Sequence, residues 1–110
     1  MAPRADTHER EGWVAVGWSE DLGDGGRKLV TLGPLQIAVF RVEGRFFAVD
    51  NRCPHRGGPL IRGHIEGFAI RCPMHGWRFD LRTGESERPA GVKTYAIKAE
   101  GHLLYLRVDP

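Results

Sequence analysis

The residues able to do chemistry fall in two short stretches, CPHRGG at 53–58 and CPMHGW at 72–77. Each holds one cysteine and one histidine, and Cys53 and Cys72 are the only cysteines in the chain. Thiolate and imidazole are the donors that hold zinc or iron. Cys53 and His55 are separated by one residue, Cys72 and His75 by two. Either spacing lets one tight loop aim two donors inward. Brought together, the loops offer two sulfurs and two nitrogens. Pro54 and Pro73 hold the preceding cysteines in extended backbone and stiffen the loops. Gly57, Gly58 and Gly76 permit positive φ and a close approach of the backbone to a bound group. Nearby backbone N–H groups tune an anionic inorganic sulfide, whereas a bare zinc ion has less use for them.

The elements that must position these loops read as β-structure. Fifteen glycines and seven prolines punctuate the chain too often for long helices. Strands are expected at 12–17 and 26–33. A hairpin is expected over 35–51 turning at Glu43-Gly44, a second over 63–72 turning at Glu66-Gly67, and a third over 93–108 turning at Glu100-Gly101. A short strand at 77–86 ends in a Thr83-Gly84 turn, and a single helical turn near Ser19–Leu22 is expected with Ser19 as its cap. The fold class is all-β: a sandwich or barrel, with a small tip at about 52–79 built as two loops around a hairpin. Residues 1–11 read as a flexible N-terminus and 12–110 as one domain.

The pattern Cys-x-His, sixteen residues, Cys-x-x-His resembles the Rieske [2Fe–2S] signature, and the match runs through CPHRGGPL and CPMHGWRFDLRTG. The resemblance implies a Rieske-like fold and one [2Fe–2S] cluster. It places Cys53 and Cys72 on one iron and His55 and His75 on the other, through Nδ1. Two neutral imidazoles in place of two thiolates make the cluster less negative and raise its potential above an all-cysteine site. High-potential members of the family join an extra cysteine from each loop in a disulfide; here those positions are Gly58 and Met74. They also place a serine and a tyrosine hydroxyl where this chain has Trp77 and Phe79. Fewer hydrogen bonds to sulfur predict a potential near the low end of the Rieske range, roughly −150 mV.

The chain is therefore similar to a Rieske ferredoxin: a soluble one-electron carrier, not an enzyme. The resemblance implies a flavoprotein reductase as donor and a terminal oxygenase or related redox enzyme as acceptor. The alternatives are a small subunit of a nitrite-reductase-type complex and a non-redox zinc module. The zinc-finger order places two cysteines first and two histidines later, unlike the alternation here. Only His8, His64 and His102 remain, too scattered for a facial triad that activates oxygen. Arg52, Arg56, Arg62, Arg71 and Arg78 fall in or beside the tip and suggest a basic rim for an acidic partner.

Other classes are disfavoured. A formal net charge of +2 is too small to argue for nucleic acid. No apolar run approaches the roughly 18 residues of a membrane helix. The start MAPRADTHEREGW has no apolar segment of a secretory signal. That predicts a cytoplasmic, reducing location, where a Cys53–Cys72 bridge is unusual. A monomer is expected. His64 reads as a surface hairpin residue, Trp13 and Trp18 as packing for the barrel, and Pro89 as part of a third loop over the cluster or an ordinary turn.

Overall fold

A computed structural model describes residues 12–54, 57–74 and 76–108. Its layering follows from one strand, β3 (Leu35–Val42), whose Ile37, Ala38, Val39 and Phe40 are all fully buried. Side chains alternate across a strand, so such a run needs cover on both faces. One face gives Ala38, Phe40 and Val42 to a core shared with Cys53, Leu60, Ile70, Cys72, Phe79 and Leu81. The other gives Ile37 and Val39 to a core with Leu22, Tyr95, Leu104 and Leu106. β4 (Arg45–Asp50) divides the same way, with Phe47 and Val49 on the first side and Ala48 on the second. A fully buried phenylalanine such as Phe79 contributes about 2–3 kcal/mol.

The described residues form three antiparallel sheets. The middle one has the order β2-β3-β4-β8, with β2 at Arg27–Leu32 and β8 at Thr94–Tyr95. Beneath it lies β1-β10-β9, made of Trp13–Trp18, Leu103–Arg107 and Ile97–Glu100. On the opposite face sits the small sheet β5-β6-β7, made of His64–Glu66, Ala69–Arg71 and Arg78–Asp80. This is the expected all-β sandwich with a small inserted tip.

The turns show where local chemistry wins. Glu43-Gly44 joins β3 to β4 as expected, with φ of 51° and 76°. Glu43 tolerates this left-handed position while Asp24 Oδ1 accepts the Gly44 N–H at 3.1 Å. The other two hairpins turn one residue later than expected, at Gly67-Phe68 and Gly101-His102. In both, glycine takes the first turn position, where positive φ is needed.

Other expectations are corrected. The 93–108 segment is no simple hairpin. Its first part, β8, pairs with β4, and the chain changes sheets at Ala96, whose carbonyl accepts the Arg107 N–H. The helical turn forms as a single 3-10 turn at Ser19–Asp21, but Ser19 is not its cap. The Ser19 hydroxyl instead donates to the His102 carbonyl across the sheet. Trp18 is 55% exposed and does not fill the barrel; Trp13 is half-buried beneath the Lys98 ammonium.

Candidate metal centre

The first loop leaves β4 through Asn51 and Arg52. Asn51 is the sole buried polar side chain among the described residues. Its N–H donates to the Gln36 carbonyl, its carbonyl accepts the Leu60 N–H, and its Oδ1 accepts the Ile61 N–H at 2.7 Å. One residue thus ties the middle sheet to both ends of loop one. The short 3-10 turn Leu60–Arg62 beyond the loop is held from β2, where Arg27 donates to the carbonyls of Ile61 and Gly63 at 3.0 and 2.6 Å.

Both loops are built to one plan. Loop one is closed by the bridge Arg52↔Pro59, and loop two by the pair Arg71↔Arg78 of β6 and β7. Six residues lie between in each case. In loop one the Cys53 N–H donates to the Gly58 carbonyl at 2.9 Å and the Gly57 N–H donates to the Cys53 carbonyl at 2.7 Å. In loop two the Cys72 N–H donates to the Trp77 carbonyl at 2.7 Å and the Gly76 N–H donates to the Cys72 carbonyl at 3.1 Å. Gly57 and Gly76 have φ of 73° and 77°, which lets each loop fold back on its cysteine. These four N–H groups close the loops, so the N–H groups of Gly57 and Gly76, two of the three glycines expected to bring backbone donors toward a bound group, are used within the loops.

The two loops meet over the core. Cys53 and Cys72 are each 2% exposed and neither is in a disulfide. A Cβ built on Gly58 would lie 3.0 Å from Cys72 Sγ and 2.5 Å from Met74 Cγ. So loop one presses its bare backbone against the sulfur and the methionine of loop two. Phe79 is fully buried in the same core as both cysteines, with Trp77 tilted against it at 6.3 Å between ring centroids. His55 and His75 lie outside the described residues, as does Arg56. His64 sits exposed on β5, opposite Arg71.

The basic rim is smaller than the sequence suggests. Arg71 Nε and Arg78 Nη1 both pair with the Glu66 carboxylate, at 3.0 and 3.3 Å. Arg52 and Arg62 are exposed and have no carboxylate partner among the described residues. Sequence reading missed Asn51, Arg27 and Arg88. Arg88 stacks 5.5 Å over the Trp77 ring, so the 85–92 loop reaches loop two through an arginine, not through the exposed Pro89. Ser86 shapes that loop by donating to the Ala90 carbonyl and accepting the Arg88 N–H.

The residues present fit a bridging iron–sulfur group. Two buried thiols share one core, with the bare backbone of Gly58 against the Cys72 sulfur, and the sequence puts one imidazole in each loop. Two short loops of equal length, each closed on a buried cysteine and clipped onto a β-sandwich, define a metal-cluster domain. The family model of the Rieske [2Fe-2S] domain matches residues 12–97, and the chain belongs to that family, whose group is a [2Fe–2S] cluster rather than zinc. It is 31% identical over 102 residues to the ferredoxin component of the naphthalene 1,2-dioxygenase/salicylate 5-hydroxylase systems of a Ralstonia species, covering 90% of this chain and 98% of that one. It is 40% identical over 94 residues to the 3-phenylpropionate/cinnamic acid dioxygenase ferredoxin subunit of Photorhabdus laumondii, covering 82% and 89%. Among solved structures it resembles a chain from the complex of reduced oxygenase and oxidised ferredoxin in carbazole 1,9a-dioxygenase. There the TM-score is 0.81 at 26% identity, over 87% of this chain and 93% of that one.

Proposed function

We propose that the protein is the ferredoxin component of a multicomponent oxygenase system, a one-electron carrier without catalysis of its own. The single observation that carries this is the pair of matched six-residue loops over two buried cysteines. Cys53 and Cys72 would hold one iron, and His55 and His75 the other. When bound, the cluster supplies one reversible electron.

The chain's own residues supply the setting. Proline-stiffened loops closed by the Cys53–Gly58 and Cys72–Trp77 hydrogen bonds resist rearrangement when the charge changes. Phe79, Leu60 and Ile70 exclude water from the cysteine side. Asn51 and Arg27 fix the tip to the sandwich. Phe79 offers no hydroxyl to sulfur, and Gly58 faces Met74 where a second cysteine pair would stand. Both support a potential near the low end of the range, roughly −150 mV. A terminal oxygenase as acceptor is supported by the dioxygenase systems named for the relatives, and a flavoprotein reductase as donor completes the reading.

Anaerobically purified protein should contain iron and acid-labile sulfide in equal amounts. After dithionite reduction it should give a rhombic EPR signal with an average g below that of all-cysteine ferredoxins. His75→Ala should abolish or change that signal and His64→Ala should leave it intact. Colourless protein with one zinc per chain would end the reading.

A further inference from the structure

Positive charge is concentrated on the tip of this molecule. Residues 52–79 carry five arginines against a single carboxylate, Glu66, in a chain of formal charge +2. The tip alone therefore holds a surplus of four positive charges, and the remainder is net negative by two. Glu66 spends itself on Arg71 and Arg78 along the β5–β6–β7 sheet. Among the described residues no carboxylate forms an ion pair with Arg52 or Arg88, although Glu85 and Glu87 share the loop of Arg88. Arg52 folds along loop one, its Cγ 3.6 Å from where a Gly57 Cβ would stand. Arg88 lies over Trp77, the residue that closes loop two. Asp50 lines the same small cleft as Arg52 but makes no ion pair with it. Among the described residues, the exposed ones in the two loops are Pro54, Gly57, Pro73, Met74 and Gly76, none of them charged.

We propose that Arg52 and Arg88, one beside each loop, form a cationic clamp that docks the tip onto an acidic face of the redox protein that takes its electron. This rests on the carrier reading above. An uncancelled pair of guanidiniums beside the exit point attracts carboxylates and turns the cluster end forward during encounter. The net negative remainder of the molecule is repelled by the same acidic face, which adds to the orientation. Arginine suits the role because its fork engages carboxylates in two parallel hydrogen bonds.

The test uses the intact, cluster-loaded protein in voltammetry on gold coated with carboxylate-terminated or amine-terminated monolayers. The carboxylate surface stands in for the acidic face. A one-electron wave is expected on the carboxylate surface, weakening as potassium chloride is raised, with a much poorer wave on the amine surface. Arg52→Glu/Arg88→Glu should lower the electron-transfer rate on carboxylate about tenfold or more. Lys28→Glu/Lys98→Glu makes the same change in net charge against the lower sheet, beside Gly17 and Trp13, and should leave the rate close to wild type. Visible absorption confirms that each variant keeps its cluster. Equal waves on both surfaces, an unaffected arginine variant, or an equal loss in the lysine variant would overturn the clamp while leaving the carrier reading in place. Protein without iron that is redox-silent on either surface would remove both.

Discussion

Replacing Gly58 by alanine puts a methyl group where Cys72 Sγ and Met74 already stand. Met74 is 54% exposed and can swing away, but the buried sulfur cannot. Gly58→Ala should therefore cost about 1–3 kcal/mol of stability and reduce iron loading. Gly76→Ala meets no atom within 4 Å among the described residues and carries the left-handed backbone cost of about 1–2 kcal/mol. Iron content and urea unfolding on both variants separate crowding from strain, since only Gly58→Ala should disturb the visible spectrum. Asp80 closes β7 in another way. Its carboxylate accepts the Arg82 backbone N–H at 2.8 Å and pairs with the guanidinium at 2.9 and 3.0 Å. The Arg82 side-chain hydrogen bond, against some desolvation, holds its pKa below the ordinary carboxylate value. A lowered folded-state pKa stabilises above the unfolded value of about 4 and is lost as pH falls through the folded one. Asp80→Asn should therefore be less stable than wild type at pH 7, with the gap closing below about pH 4 in urea titrations.

At the scale of elements, the tip is held to the sandwich by few but well-placed bonds. Arg27 reaches from β2 to two carbonyls flanking the Leu60–Arg62 turn, while its guanidinium lies 5.4 Å over the Phe40 ring. Asn51, just past β4, accepts the Leu60 and Ile61 N–H groups of the same turn. Asn51→Ala leaves the half-buried Ile61 N–H without its acceptor and should cost about 1–3 kcal/mol, read from thermal unfolding of the loaded protein. The β3–β4 turn offers the opposite case. Glu43 occupies a left-handed position at φ 51° that asparagine accepts more readily. Glu43→Asn should raise stability by about 0.5 kcal/mol with no change in the cluster spectrum.

For the whole molecule, two cores share one sheet but differ in what they need. The lower core, between the β2-β3-β4-β8 and β1-β10-β9 sheets, contains Ile37, Val39, Leu104 and Leu106 and no cysteine. The upper core contains both cysteines and lies beneath two loops with almost no side chains of their own to bury. Removing iron with a chelator under reducing conditions should loosen the tip first. Hydrogen exchange is expected to rise across 52–79 while β1, β3 and β10 stay protected. Uniform loss of protection would show instead that the two cores unfold as one unit.

How much could be read in advance follows from how local each cause is. The cysteines, histidines, prolines and glycines of the two loops carry their chemistry in spacings of a few residues, so sequence alone determined the candidate ligands and the all-β class. The Glu43-Gly44 turn was equally legible, because a glycine's conformational need is local. Contacts that span the fold were not. Arg27 meets Ile61 across 34 residues of sequence, Glu66 claims Arg78 across 12, and Ser19 leaves its expected capping role for a carbonyl 83 residues away. Only the tertiary structure decided which arginines are neutralised, which remain to face a partner, and that β3 is covered on both sides. Those outcomes depend on which surfaces meet after the chain folds.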